Sequence, residues 1–316
     1  MKREKGVITA LALAGIYLSW GSTYLAIRYA VETLPPFFLA GARFVISGSA
    51  FYAWARWRGC PAPTRAQWVA SAVAGFLLIV SGHGLVVWGE KTVPSGLTAL
   101  LIGTTPVVVV LLEWLWKGVR RPAWTTIAGV AAGFAGVVIL VRPGGEGADA
   151  SGADPVGVGL ILAAVVSWVV GSLNSRGADL PGSALMKTAA QMLAAGVVLS
   201  LLSPLLGEWR ALDPGLVRAR SVWAVAYLTV VGGAGFVCYS WLLHNTTPAL
   251  STTYAYVNPV IAVFLGCWLG GEALTGRILA ATPLVLVGVV LITAVNRGKR
   301  RFGKRRFGKR RPEGRR

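Results

Sequence analysis

The sequence is poor in the residues from which metal sites, redox centres and hydrolytic active sites are built. It contains three cysteines, two histidines and twelve acidic residues in 316. Cys60, Cys238 and Cys267 are far apart and follow no ligand spacing. With so few histidines beside them, neither a zinc site nor a disulfide framework has support, and no cofactor or metal is expected. All four aspartates, Asp149, Asp154, Asp179 and Asp213, fall in polar breaks. No glutamate lies near the middle of an apolar run, and Glu113 comes closest. A hydrolase needs a nucleophile with a base or a metal, and no such set converges, so the chain does not read as an enzyme.

Apolar residues are what the chain has in quantity. They make up 55% of it against 14% charged, which is not the composition of a water-soluble domain. A helix crossing a bilayer needs about 20 mainly apolar residues. Breaks at charges, prolines and glycine clusters delimit ten such spans, near 7–31, 36–55, 67–88, 94–116, 123–141, 156–173, 183–205, 221–243, 249–270 and 277–295. The opening MKREKGVITALALAG resembles a signal peptide, but its apolar stretch runs on to about Ala30 and reads as the first span. The expected fold class is an all-α membrane protein of ten transmembrane helices.

The formal charge of +19 raises the question of a nucleic-acid partner. Twelve of the 31 basic residues follow Asn296, in a near-repeat of GKRRF that starts at Gly298 and again at Gly303. A low-complexity basic run of this kind is solvated or lies against anionic lipid headgroups, so the lipid bilayer and not nucleic acid is its expected partner. Lys and Arg also set orientation, since they collect on the cytoplasmic side. With the N-terminus inside, inner segments hold eleven before the tail is counted and outer segments six. Both termini are therefore expected in the cytoplasm of a multi-pass protein of the cell inner membrane.

A repeat lies beneath the pattern. Shifting the sequence by 148 places Ser19-Trp20 on Ser167-Trp168, Arg28 on Arg176 and Gly48 on Gly196. A shift of 153 places Pro106 on Pro259, Thr98 on Ser251 and Thr105 on Asn258. The longest polar break, RPGGEGADASGADP from Arg142, separates the halves. Residues 1–148 form one five-helix repeat, 149–297 a second, and 298–316 the basic tail. Five is odd, so the second repeat enters the membrane inverted, as in transporters that rock one half against the other.

Candidate site residues follow from the same alignment. Trp20 and Trp168 fall near the midplane, whereas most other tryptophans sit near span ends, where indoles prefer to lie. Packing against small residues is one explanation and a cavity wall is the other. Thr98 and Thr105 share a helical face, and Ser251, Tyr254 and Asn258 repeat that stripe, either to bond neighbouring helices or to meet a substrate. Pro106 and Pro259 break the backbone ladder one residue later and are candidate hinges. Thr23 and Tyr24 extend the face of Trp20, and Ser172 adjoins Trp168. His83 lies toward the outer side and Tyr239 toward the inner, and a bonded histidine competes with a proton carrier there. Arg43 must find a partner within its span, and backbone carbonyls are the plainer expectation than a substrate carboxylate.

SWGSTYLAIRYA from Ser19, PPFFLAGARF from Pro35 and ALSTTYAYVNPVIAVFLGCWLGGEALT from Ala249 resemble the EamA family of the drug/metabolite transporter superfamily. The likeness covers nearly all the chain except the tail. It departs in the first half, where KGVRRP from Lys117 stands in place of a second GEALT. The resemblance implies two inverted five-helix repeats around a substrate path, in a layout similar to bacterial YddG-type aromatic amino-acid exporters. It implies export of neutral or aromatic amino acids or related small metabolites. The alternative is a multidrug or sugar-conjugate transporter of the same superfamily, with proton coupling open to it. The missing central carboxylate favours facilitated diffusion, and the protein is expected to work as a monomer.

Overall fold

The computed structural model describes residues 2–117, 124–141, 154–246, 253–284, 286–288 and 290–291. Ser251, the two loops on either side of residues 124–141, and the basic tail lie outside the described residues. Among the described residues there are helices and connecting turns and no strand. We number the helical segments α1 (Lys2–Val31), α2 (Pro36–Trp57), α3 (Arg65–Gly89), α4 (Ser95–Ile102 and Thr105–Lys117) and α5 (Trp124–Val141). The second half supplies α6 (Pro155–Ser175), α7 (Ala184–Leu205), α8 (Ala219–Asn245), α9 (Tyr254–Trp268) and α10 (Gly276–Gly288).

Six of these, α1, α2, α3, α6, α7 and α8, are long and apolar enough to cross a membrane. Their large aliphatic and aromatic side chains face outward as readily as inward, with Leu11, Leu18, Trp57, Val156 and Leu205 all well exposed. A helix that is apolar on every side has no water-facing stripe, which is the signature of a bilayer span. The protein is a multi-pass all-α membrane protein.

Small residues determine how the helices meet. α2 and α7 form the most extensive pair in the bundle, and glycine lets their backbones touch. A Cβ placed on Gly196 would come within 2.7 Å of the Val45 backbone nitrogen, and one on Gly48 within 2.9 Å of that of Leu193. The two contacts are reciprocal under the 148-residue shift, since Leu193 then falls on Val45 and Gly196 on Gly48. Other contacts recur in the same way. α1 packs on α8 and α9, while α6 packs on α3 and α4.

Two helices carry a matched irregularity. α3 contains a π-helical turn at Phe76–Ser81 and α8 one at Leu228–Gly232. Such turns insert an extra residue and gather at functional sites. α4 breaks differently from expectation. Its ladder is interrupted at Gly103–Thr104, and Pro106 sits in the first turn of the second segment, where its missing N–H costs nothing. Pro259 does lie inside α9, and a Cβ on Gly103 would be 3.4 Å from its Cγ, so the break and the proline face each other.

One end of the bundle is held by carboxylates. Glu272 accepts from the Ser95 backbone N–H at 2.8 Å, the Ser95 hydroxyl at 2.6 Å and the Gly96 N–H at 3.1 Å, capping α4. Glu208 does the same for α2, accepting from the N–H groups of Phe37 and Phe38. Asp154 caps α6 and accepts from the Thr92 hydroxyl at 2.7 Å, contacts that hold its carboxyl below the usual aspartate range. A carboxylate at a helix N-terminus meets unpaired N–H groups and the positive end of the helix dipole. Glu32 pairs with Arg220 at 2.6 Å, and Arg28 donates to the carbonyls of Glu90 and Lys91.

Candidate functional site

Five aromatic rings meet at the centre of the bundle. Trp20 of α1 is their hub, with ring centroids 5.5 Å from Trp168 of α6 and 5.2 Å from each of Phe236, Tyr239 and Tyr254. Most of these pairs are edge-on, the arrangement that sets positive ring edges against negative faces. The approach of α8 depends on Gly235, where a Cβ would lie 2.5 Å from the Trp20 indole nitrogen. The two tryptophans related by the repeat are thus in contact with each other.

A cavity lies on one side of this cluster. Trp20, Thr23, Tyr24, His83, Thr105, Trp168 and Tyr254 line it, and so do Arg43, Gly82, Gly232 and Phe236. Its free space is about 60 Å³, enough for a few waters. No carboxylate is among the lining residues. Both π turns deliver residues to it, since Gly82 and His83 follow the first and Gly232 closes the second.

Tyr239 and Ser172 belong elsewhere. Ser172 and Tyr239 are joined by a hydrogen bond of 3.1 Å. Tyr239 lines a second cavity on the other side of the rings, together with Trp168, Phe236, Gln191, Lys187 and His244. There the Lys187 ammonium and His244 Nε2 lie 2.8 Å apart. Thr98 and Asn258 line neither cavity. Both are buried, and the Thr98 hydroxyl and both polar atoms of the Asn258 amide are without a partner.

Two features of the site are not expected from the sequence, and a third departs from its plainer expectation. Phe236 joins both cavities, yet the 153-residue shift that relates Pro106 to Pro259 also places His83 on Phe236 and Gly82 on Gly235. The shift carried the signal, hidden because an imidazole and a phenyl do not look alike. Glu90 falls in the turn after α3, where a charge is expected at the end of an apolar run. It is nevertheless fully buried there, and neither carboxylate oxygen has a partner among the described residues. The third is Arg43, for which carbonyl partners were the plainer expectation. Its Nη1 is buried without one, and its Cζ stands 4.4 Å over the Phe44 ring.

The comparisons with known proteins agree with this architecture. An inner membrane transporter of Escherichia coli (strain K12), YedA, described as uncharacterized, is 38% identical over 285 residues, covering 89% of each chain. A probable terminal-alkyne amino-acid exporter of Streptantibioticus cattleyicolor is 28% identical over 304 residues, 95% of this chain and 97% of its own length. A crystal structure 24% identical in sequence superposes with a TM-score of 0.65, covering 92% of this chain and 97% of that one, and shows the same fold. The description EamA-like transporter family matches twice, over residues 5–142 and 155–294. With nearly the whole chain accounted for by two copies of that unit, the protein belongs to the EamA-like transporter family.

Proposed function

We propose that the protein exports neutral or aromatic amino acids, or related small metabolites, across the inner membrane by alternating access. The observation that carries this reading is the contact of Trp20 with Trp168 beside a narrow central cavity. Two halves that each contribute one wall of a shared site can expose it to either side by rocking. The ring cluster separates the central cavity from the second one, as a barrier between two access routes would.

The architecture proposed is ten spans in two inverted repeats, 1–148 and 149–297, with both termini cytoplasmic and the tail 298–316 near lipid headgroups. The reciprocal glycine contacts of α2 and α7 support it, as do the paired π turns. Single cysteines placed in the 117–122 and 142–155 loops of a cysteine-free variant should be labelled from opposite sides of the membrane. Labelling of both from one side would sink the inverted arrangement.

Transport is down the substrate gradient, and the protein works as a monomer. The usual device for coupling is a carboxylate in the site that exchanges ion for substrate, and the cavity wall has none. Purified protein in sealed liposomes should equilibrate one or more members of an amino-acid panel, and an imposed pH step should not drive accumulation. Glu90→Gln should leave that result unchanged, since Glu90 does not reach the cavity. Uphill accumulation abolished by His83→Ala or Glu90→Gln would overturn uniport. Transport of drugs or sugar conjugates with no amino acid moved would favour the second cargo class.

A further inference from the structure

We propose that Arg43 is the anchor for a carboxylate on the transported molecule, so that the cavity selects small organic acids and zwitterions with an apolar or aromatic body and rejects lipophilic cations. This rests on the reading of the central cavity as the transport path.

Arg43 is 1% exposed and lines the cavity. A guanidinium carries five N–H donors in a planar fork and no acceptor. No described residue accepts from it, and Nη1 is buried with no partner at all. Burying a cation without a counter-charge is costly, and a protein normally meets that cost with an acid or with carbonyls. Here neither is supplied. The ion pairs of Arg218 and Arg220 use Glu32, at the far end of α1 from the cavity wall that holds Arg43. The counter-charge must therefore arrive with the cargo.

The surroundings fit a carboxylate. The fork of Arg matches two carboxylate oxygens with two parallel hydrogen bonds. His83 stands on the same wall, its ring edge-on to Phe44 at 5.4 Å, and its Nε2 is also buried and unpartnered, a second donor when it carries the proton. Gly232 leaves the space beside the fork unfilled, since a Cβ there would stand in contact with Arg43 Nη2, at 3.7 Å. Elsewhere on the wall, Trp20 and Trp168 offer apolar faces for the body of the molecule, and ring faces attract an ammonium if there is one. A cationic cargo would meet Arg43 with no carboxylate to offset it.

The test compares each acid with its own amide. Purified full-length protein in detergent is titrated with the amino acids, their carboxamides, phenylpyruvate and phenethylamine, and thermal melting and tryptophan fluorescence are followed. At least one acid should stabilise the protein while its amide and phenethylamine do not. Arg43→Gln should weaken that acid about tenfold or more. Arg43→Lys should recover part of the loss, because it restores charge without the fork. Should Arg43→Gln fail to fold, the acid-to-amide ratio on the wild-type protein carries the test. No acid preferred over its amide, or unchanged acid binding in Arg43→Gln, overturns the proposal. A clear acid preference with no flux in liposomes would sink the export reading and leave the anchor standing; flux with no acid preference would do the reverse.

Discussion

Liposomes carrying Trp168→Ala are expected to move substrate about tenfold or more slowly than wild type, at equal protein content and with an unchanged elution profile. The indole contacts three rings, Trp20 at 5.5 Å, Tyr239 at 5.4 Å and Phe236 at 5.8 Å. Each such pair contributes about 0.5–1.5 kcal/mol beyond burial of area, and about 1.4 kcal/mol is a factor of ten in rate. Loss of the ring removes part of the cavity wall and part of the barrier between the two cavities. Insertion should survive, because alanine exposes no charge and Trp168 is only partly buried. Trp168→Phe, which keeps an aromatic wall, should recover much of the rate. Wild-type flux from both Trp168→Ala and Trp20→Ala would reduce the pair to packing.

The second large effect is on folding. Gly196→Ala should destabilise the protein by about 1–3 kcal/mol, the usual cost of forcing an extra carbon into a filled interior. The added Cβ would lie 2.7 Å from the Val45 backbone nitrogen and 3.0 Å from the Phe44 carbonyl carbon, and backbone cannot swing aside as a side-chain tip can. Gly41→Ala, at 2.8 Å from the Ser200 nitrogen, should behave alike. Gly159→Ala is the control. Nothing lies within 4 Å of its Cβ position, so the variant gains helix propensity and should melt no lower than wild type. Melting followed by size-exclusion chromatography separates the cases. Equal stability of Gly196→Ala and Gly159→Ala would mean that α2 and α7 are looser than described.

The residues at these contacts are partly legible in the sequence, though the contacts themselves are not. Gly48 and Gly196 stood out because the repeat aligned them, and reciprocal close packing at a pseudo-twofold contact needs a small residue on both sides. Trp20 and Trp168 stood out because indoles at mid-span forgo the interface. Polarity alone does not report where a side chain ends up. Of the polar stripe, Thr105 and Tyr254 line the cavity, but Glu90 in its loop and Thr98 and Asn258 on their helices do not. Yet all three are buried with polar atoms unpartnered. Burial of a polar atom is decided by which helices converge on it, and a single span does not encode its neighbours. The break in α4 was placed at Pro106 for a similar reason. Proline is disruptive inside a helix, but its neighbours Gly103 and Thr104 gave way first, leaving it at a harmless start.

The π turns in α3 and α8 make the length of these helices as consequential as their composition. An α-helix turns about 100° per residue, so each extra residue resets the angular phase of everything that follows it. His83 faces the cavity because it lies after the surplus residue of Phe76–Ser81. A one-codon deletion there would let the segment relax to an α-helix and swing the imidazole toward a neighbouring helix, with no residue of the cavity itself replaced. Two members of the family can therefore match at every aligned lining position and still present different walls, if one of them has lost a single residue upstream.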